Sequence, residues 1–391
     1  MTPETLKLGY MPLVDAAPLI IAAEMGFAEE EGLALTLESS PSWSMLRDKL
    51  SFGHLDAAHM LSPVPVASAL GLGGAGALLH GLMVLSVNGN VIGVSRALAD
   101  DMRAMGYGFD FNDAWAAGRA VVAARRTGLR VSVPFPFSMH AELIYYWLSA
   151  LGLHAPQDVN VRTVPPPMLA EALETGEIDA FCVGEPWGSR SVDAGLGELL
   201  LPGKAIWARA PEKVLAVRAD WVEGHEDIAQ RLIRALWRAT RWLADPASHG
   251  LATELMSHPR HLGLPAELLE RALQGHFVIN AGGSTREVPD FVDFYTGSAG
   301  FPWRSQAEWL GAQLAARTGL DRAASVAAAR GTFRSDLYRA ALAGVAHDLP
   351  LASSKVEGAV SEPLTAASTG GRLILARDSF FDGRSFEPSA E

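Results

Sequence analysis

Two periods of apolar and polar positions alternate along this chain. Short apolar runs over 6–10 and 34–37 read as strands, and residues 17–27 between them read as an amphipathic helix closed near Gly26. Residues 39–44 form a polar loop around Trp43. A helix over 45–52 follows, with Arg47, Asp48 and Lys49 on its wet side. From Ala57 to Ser95 there is no Asp, Glu, Lys or Arg. That length raises the idea of a membrane span, but Pro63, Pro65, Gly71, Gly73, Gly74, Gly76, Gly81 and Gly89 interrupt it. It divides instead into a buried helix near 64–70, a glycine-rich connection and a strand at 82–86. Runs at 91–94, 131–133, 159–164, 180–183 and 213–217 continue the strand pattern, and 139–151 and 228–243 the helical one. The last of these helices sets Leu232, Ile233, Leu236 and Trp237 against Arg231, Arg234, Arg238 and Arg241. Beyond Phe291 the pattern is irregular. Residues 350–370 are rich in Ser, Ala and Gly and are expected to be mobile, and 372–386 are expected to return as a strand or a clasp.

One order of elements occurs twice. Strand, proline turn, helix, Gly32-Leu33, strand and helix lead to Leu50-x-x-Gly53-x-Leu55-Asp56-Ala57 and then Pro63. Strand, Pro134 and Pro136, helix, Gly152-Leu153, strand and helix lead to Leu173-x-x-Gly176-x-Ile178-Asp179-Ala180 and then Pro186. The repeat implies two related α/β lobes, each around a parallel sheet. The first comprises residues 1–125 and 206–391, the second 126–205. Two crossings make a hinge and place a cleft between the lobes. The apolar strand ending in Gly184-Glu185-Pro186 has the form of a sheet strand that delivers a loop to a ligand. Gly184 there is expected to take backbone angles closed to other residues.

Composition narrows the function. At 391 residues and 49% hydrophobic content the chain builds sizeable cores, with a length prior of roughly two to three domains. The formal charge of −12 makes nucleic acid and anionic membrane poor partners. An anionic ligand then needs local cations or helix N-termini. The single Cys182 allows neither an internal disulfide nor a cysteine metal site. Only Met1–Thr5 precede the first strand, without a basic or apolar leader region, so a cytoplasmic location is expected, or a periplasmic one if a leader was removed. There is no G-x-S-x-G, H-E-x-x-H, P-loop or dinucleotide fingerprint. His54 and His59 are badly spaced for a metal. No enzyme activity, metal or cofactor is expected.

Several motifs carry a resemblance. They are Gly9-Tyr10-x-Pro12-Leu13-x-Asp15-Ala16-Ala17-Pro18, Ser42-Trp43-x-x-x-Arg47-Asp48-Lys49-Leu50, Leu55-Asp56-Ala57-Ala58-His59-Met60-Leu61, Asn88-Gly89, Pro136-x-Ser138-Met139-His140, Val164-Pro165-Pro166-Pro167, Phe181-Cys182-Val183-Gly184-Glu185-Pro186-Trp187 and Pro211-Glu212-Lys213-Val214-Leu215. Together they resemble the nitrate/bicarbonate branch of the substrate-binding proteins of ABC transporters. The likeness spans about residues 6–345. It implies the two-lobed type II fold of periplasmic binding proteins. It also implies a small planar anion held by Trp43, Asn90, His140, the Gly184 turn and Lys213. Transporter proteins of this branch have glutamine at position 90, so the amide of Asn90 is one methylene shorter. Bicarbonate relatives carry an acid at position 213 to help hold a metal, so the lysine favours nitrate or nitrite.

The residues support these positions unequally. Ser138 is a good N-cap, which puts His140 in the first turn of a helix, where free N–H groups and the helix dipole favour an anion. A merely packed or solvated histidine is the competing reading. Lys213 opens an apolar strand and supplies the counter-charge that a buried anion requires; the competing reading is an exposed strand end. Trp43 offers an indole N–H, or is simply a core tryptophan. Glu185 is expected to point away from an anion, capping amides or bracing the hinge.

Three function classes follow. The first is a cytoplasmic nitrate or nitrite sensor acting on an antiterminator-type RNA-binding regulator, with no direct nucleic-acid contact and no membrane insertion. The second is the solute-binding component of a nitrate/nitrite ABC transporter, with bicarbonate or sulfonate less favoured. The third is an enzyme of the thiamine-pyrimidine synthase type, whose cysteine-rich motif this chain lacks.

Overall fold

The computed structural model describes residues 3–74, 76–125, 128–155 and 157–389. Its core is two sheets. In the first, β1 (Glu4–Tyr10) pairs in parallel with β2 (Leu33–Ser39) and β3 (Ala57–Leu61). The long β4 (Leu79–Asn88) joins this sheet through β10 (Pro211–Arg218), antiparallel to both β3 and β4. In the second, β6 (Leu129–Val133) pairs in parallel with β7 (Val159–Thr163) and β8 (Ala180–Gly184). There β5 (Asn90–Ser95) lies between β8 and β9 (Gly197–Pro202), antiparallel to each. The central strands are buried along nearly their whole length and mostly apolar, with His59, Glu212 and Lys213 the buried charged or polar exceptions in β3 and β10.

The repeated Asp-Ala pair has one structural purpose in both sheets. The amide of Asp56 donates to the carbonyl of Lys7, and the Asp56 carboxylate accepts the amide of Lys7 at 2.8 Å. Asp179 does the same with Arg130, accepting its amide at 3.0 Å. Each aspartate therefore fixes where its strand joins the first strand of its own sheet.

Sheet membership moves the first crossing. With the second lobe expected from 126, residues 90–125 belong to the first. The chain instead leaves the first sheet at Asn88 and enters the second at Asn90. Asn88 and Gly89 turn it with consecutive positive φ values of 59° and 95°. The helices Arg96–Ala104 and Ala114–Ala124 pack on this second sheet. The chain returns to the first sheet through 203–210.

The Ser/Ala/Gly-rich stretch near the C-terminus is irregular, yet polar side chains pin it. Lys355 pairs with Glu357 at 2.6 Å and with Asp378, and Ser305 donates to Glu357 at 2.6 Å. Farther on, Phe380 packs against Trp207 and Trp309, and Phe381 against Trp115. Tyr146, on the helix Met139–Ala150, donates to Asp382 at 2.9 Å. The segment is a strap across both lobes, which is the clasp expected of 372–386.

Candidate functional site

The ends of both sheets meet at a buried polar cluster. From the first lobe, the turn after β1 brings Asp15, and β3 brings His59. Trp43 is the first residue of the helix Trp43–Ser51, because the Ser42 hydroxyl accepts the amide of Met45 at 3.3 Å. It is therefore helical and not in the expected loop. Glu212 and Lys213 come from β10. Neighbours on a strand ordinarily face opposite sides, but β10 is irregular on either side of Lys213 against β4. Such a bulge re-aims a side chain, and both groups reach the cluster.

The second lobe supplies three parts. The Ser138 hydroxyl accepts the amide of Ala141 at 3.1 Å, starting the helix whose first turn holds His140. Asn90 opens β5 directly opposite Gly184. Gly184 has no positive φ and is an ordinary strand residue, contrary to expectation. Its lack of a side chain matters for space: a Cβ there would lie 3.3 Å from Leu13 and 3.8 Å from Nε2 of His140.

All the polar groups of the cluster are at most 2% exposed. The Lys213 ammonium lies 2.7 Å from Asp15 and 2.8 Å from Glu212 Oε1, and 5.5 Å from the centre of the Trp43 ring. His59 Nε2 lies 3.0 Å from Asp15, and His140 Nδ1 lies 3.2 Å from Glu212 Oε1. The Asn90 amide donates to Glu212 Oε2 at 2.5 Å. Burial pushes the Asp15 carboxyl up, but Lys213 and His59 outweigh it and hold it below the usual range. Burial also raises Glu212, and there it prevails over Lys213, helped by the charge of Asp15. Burial, then the Lys213 charge, drive the His140 ring well below the usual imidazole range. Burial would lower Lys213, but its two carboxylates raise it.

On the residues of this cluster, Trp43 Nε1, both ring nitrogens of His140, His59 Nδ1 and Asn90 Oδ1 are buried without a hydrogen-bond partner, the last of them beside Gly203. Buried polar atoms are rarely left so, and a ligand bearing acceptor atoms would pair the indole N–H. The lobes are shut over the cluster. Trp187 Nε1 donates to the carbonyl of Pro12 at 3.1 Å, the Val14 amide donates to the carbonyl of Glu185 at 3.0 Å, and Arg317 pairs with Glu142 at 2.7 Å. The Glu185 carboxylate accepts the amide of Ser189, as expected of an amide-capping acid. A cavity of about 810 Å³ lined by Trp237, Tyr295 and Tyr338 lies elsewhere and is mainly apolar. Its lining is unsuited to a small anion, so the buried cluster is the stronger candidate.

The cluster gathers Trp43, Asn90, His140, Gly184 and Lys213. It also contains Asp15, His59 and Glu212, which sequence reasoning left without a role. Lys213 differs from expectation. It is already matched by two carboxylates and is not a free counter-charge. Among the described residues no group of three His, Cys, Asp or Glu side chains is arranged to hold a metal ion. No described helix is long and apolar enough to cross a membrane.

A model of the NMT1-like family matches residues 1–257. This chain belongs to that family. It is 32% identical over 320 residues to the nitrate import ATP-binding protein NrtC of Synechocystis sp. strain PCC 6803, covering 79% of this chain and 45% of that one. It is 30% identical over 314 residues to the nitrate/nitrite binding protein NrtA of the same organism, covering 78% and 68%. The chain spans about half the length of the ATP-binding relatives it matches. The crystal structure of the periplasmic nitrate-binding protein NrtA from Synechocystis PCC 6803 superposes with a TM-score of 0.84 at 28% identity, covering 99% of this chain and 96% of that one. The family has the two-lobed α/β fold of periplasmic binding proteins, and this chain shares it.

Proposed function

We propose that this chain binds nitrate or nitrite between its lobes and is the solute-binding component of an ABC-type import system. The observation that carries the reading is the enclosed cluster with unpartnered Trp43 Nε1 and His140 Nε2 beside a buried lysine. Trp43, Asn90, His140, Gly184 and Lys213 are the proposed ligand residues. An indole N–H, an imidazole and an amide around a glycine-lined gap suit a small planar anion better than a bulky one. The likeness to a nitrate/nitrite binding protein and to a nitrate import protein supports uptake over signalling to an RNA-binding regulator. It likewise supports action outside the cytoplasm over the cytoplasmic location expected from the first residues.

Calorimetric titration with nitrate, nitrite, bicarbonate and an alkanesulfonate tests this. Heat of binding with nitrate or nitrite, and none with the sulfonate, is the expected result. Binding of bicarbonate or sulfonate alone would overturn the assignment of the anion.

A further inference from the structure

The aromatic cavity that the anion cluster does not use has the features of a site of its own. Its volume is about 810 Å³, within the range of about 300–1,000 Å³ typical of pockets for small organic ligands. Its inner wall is made of rings in two edge-to-face pairs. Trp237, on the helix Glu226–Leu243, meets Tyr295 at 5.8 Å. Phe301 meets Tyr338, on the helix Ser335–Leu342, at 5.5 Å. The outer wall is irregular chain around residues 346–350 and 370–376. Its own hydrogen bonds hold that wall in place. The Asp348 carboxylate accepts the amides of Gly370 and Arg372, both at 2.7 Å. Leu349 and Thr369 exchange two more bonds, each at 2.9 Å. The wall is therefore braced away from the rings and does not collapse onto them.

Two polar groups in the lining have no partner. Tyr338 is 4% exposed, and its hydroxyl makes no hydrogen bond among the described residues. A Cβ on Gly300 would stand 3.0 Å from that hydroxyl, so the glycine keeps the space in front of it open. Burial raises the phenol above its usual range and keeps it a donor. Buried donors are rarely left unmatched. At the rim, Arg372 is exposed and pairs with no carboxylate among the described residues. Asp348, the acid in the same lining, is occupied by the two backbone amides.

We propose that this cavity is a second binding site, for an aromatic organic anion. Its flat body lies against the rings, an oxygen on that body accepts from the Tyr338 hydroxyl, and its acid group meets Arg372. Aromatic walls suit a flat apolar body, and the unmatched phenol and guanidinium ask for an acceptor and a negative charge. The lining falls within residues 237–376 and shares no residue with the interlobe cluster. The two sites are therefore separate.

The test is a fluorescence titration of the full chain with two probes. Methoxycoumarin acetate carries ring oxygens and an acid; the neutral methoxy-methylcoumarin lacks only the acid. The expected result is saturable binding of a single acid probe per chain, about threefold tighter than the neutral one. Tyr338→Phe keeps the ring and should weaken both probes about fivefold. Arg372→Gln changes an exposed position, and should weaken the acid probe alone and bring the two level. Excess nitrate should displace neither. No saturable binding of the acid probe to the native chain overturns the site. Displacement by nitrate puts the probe in the interlobe cluster and also overturns it. A preference for the neutral probe, or affinities unchanged in both variants, overturns the assigned ligand class. Thermal unfolding checks the variants, and if Tyr338→Phe does not fold, Arg372→Gln decides alone. The titration itself needs no nitrate, so its result stands whatever anion the cluster holds.

Discussion

The two lobes reach the cluster by matching routes but bring different chemistry. In each, the turn after the first strand and the end of the third parallel strand deliver the residues. The first lobe brings Asp15 and His59 this way and adds Glu212 and Lys213 from β10. The second brings His140 and Gly184, with Asn90 opposite. All the formal charge is thus on one side, and the other is made of neutral groups and a gap. The charged side is assembled within one lobe, where Lys213 meets both Asp15 and Glu212.

The largest expected effect follows from that division. Lys213→Met leaves Asp15 and Glu212 buried without their cation, and should destabilise the ligand-free protein by about 3–5 kcal/mol. His140→Gln, on the neutral side, removes no charge and should cost about 1–2 kcal/mol. Urea unfolding of both variants decides, and equal costs would erase the division of labour.

Next comes Glu185, a buried acid of the second lobe. Burial, only partly offset by the Ser189 amide and hydroxyl, raises its carboxyl to about 7. The folded chain then holds a proton that the unfolded chain releases at lower pH. The associated stability is present in full below about pH 4.5, the ordinary value, and is lost as pH rises through about 7. Relative to Glu185→Gln, the native chain should lose on the order of 3 kcal/mol across that window. Parallel pH profiles for the two proteins would mean that Glu185 is ionised throughout, and that both lobes carry buried charge.

The smallest effect concerns the repeated aspartates. Arg130 adds two side-chain hydrogen bonds to Asp179, at 2.9 Å and 2.6 Å, where Lys7 meets Asp56 through its backbone. The Arg130 pair is partly exposed, so Arg130→Ala should cost about 0.5–1 kcal/mol and Lys7→Ala close to nothing. Thermal unfolding of the two variants checks whether the second lobe depends on the extra pairing.

Sequence patterning captured those strands and helices before residue 244 that follow one period and end at a proline, a glycine or a capping serine. It missed the strand Gly197–Pro202, and also the helices Arg304–Thr318, Arg322–Arg330 and Ser335–Leu342, which lie where the pattern is irregular. The repeat was readable for a related reason: Asp56 and Asp179 do the same backbone work at the same place in each sheet. Glu212 stayed hidden because strict alternation points one of two strand neighbours away, and only the irregularity around Lys213 brings both inward. The lobe assignment of Asn90 depended on β5 inserting between two strands far along the chain, and no local pattern records such a pairing. The strap past residue 346 has no period at all. Its order comes from the Lys355, Glu357 and Asp378 ion pairs and from aromatic contacts distant in sequence.

That strap also limits how the molecule can open. The crossings at Gly89 and at 203–210 alone would let one lobe swivel about several axes. Phe380, Phe381 and Asp382 hold a third point, gripping Tyr146 and Trp115 on one lobe while Ser389 is held by Glu308 on the other. A body fixed at three separated points is not free to twist. Opening the lobes therefore requires the strap's contacts to Tyr146 and Trp115 to give way first.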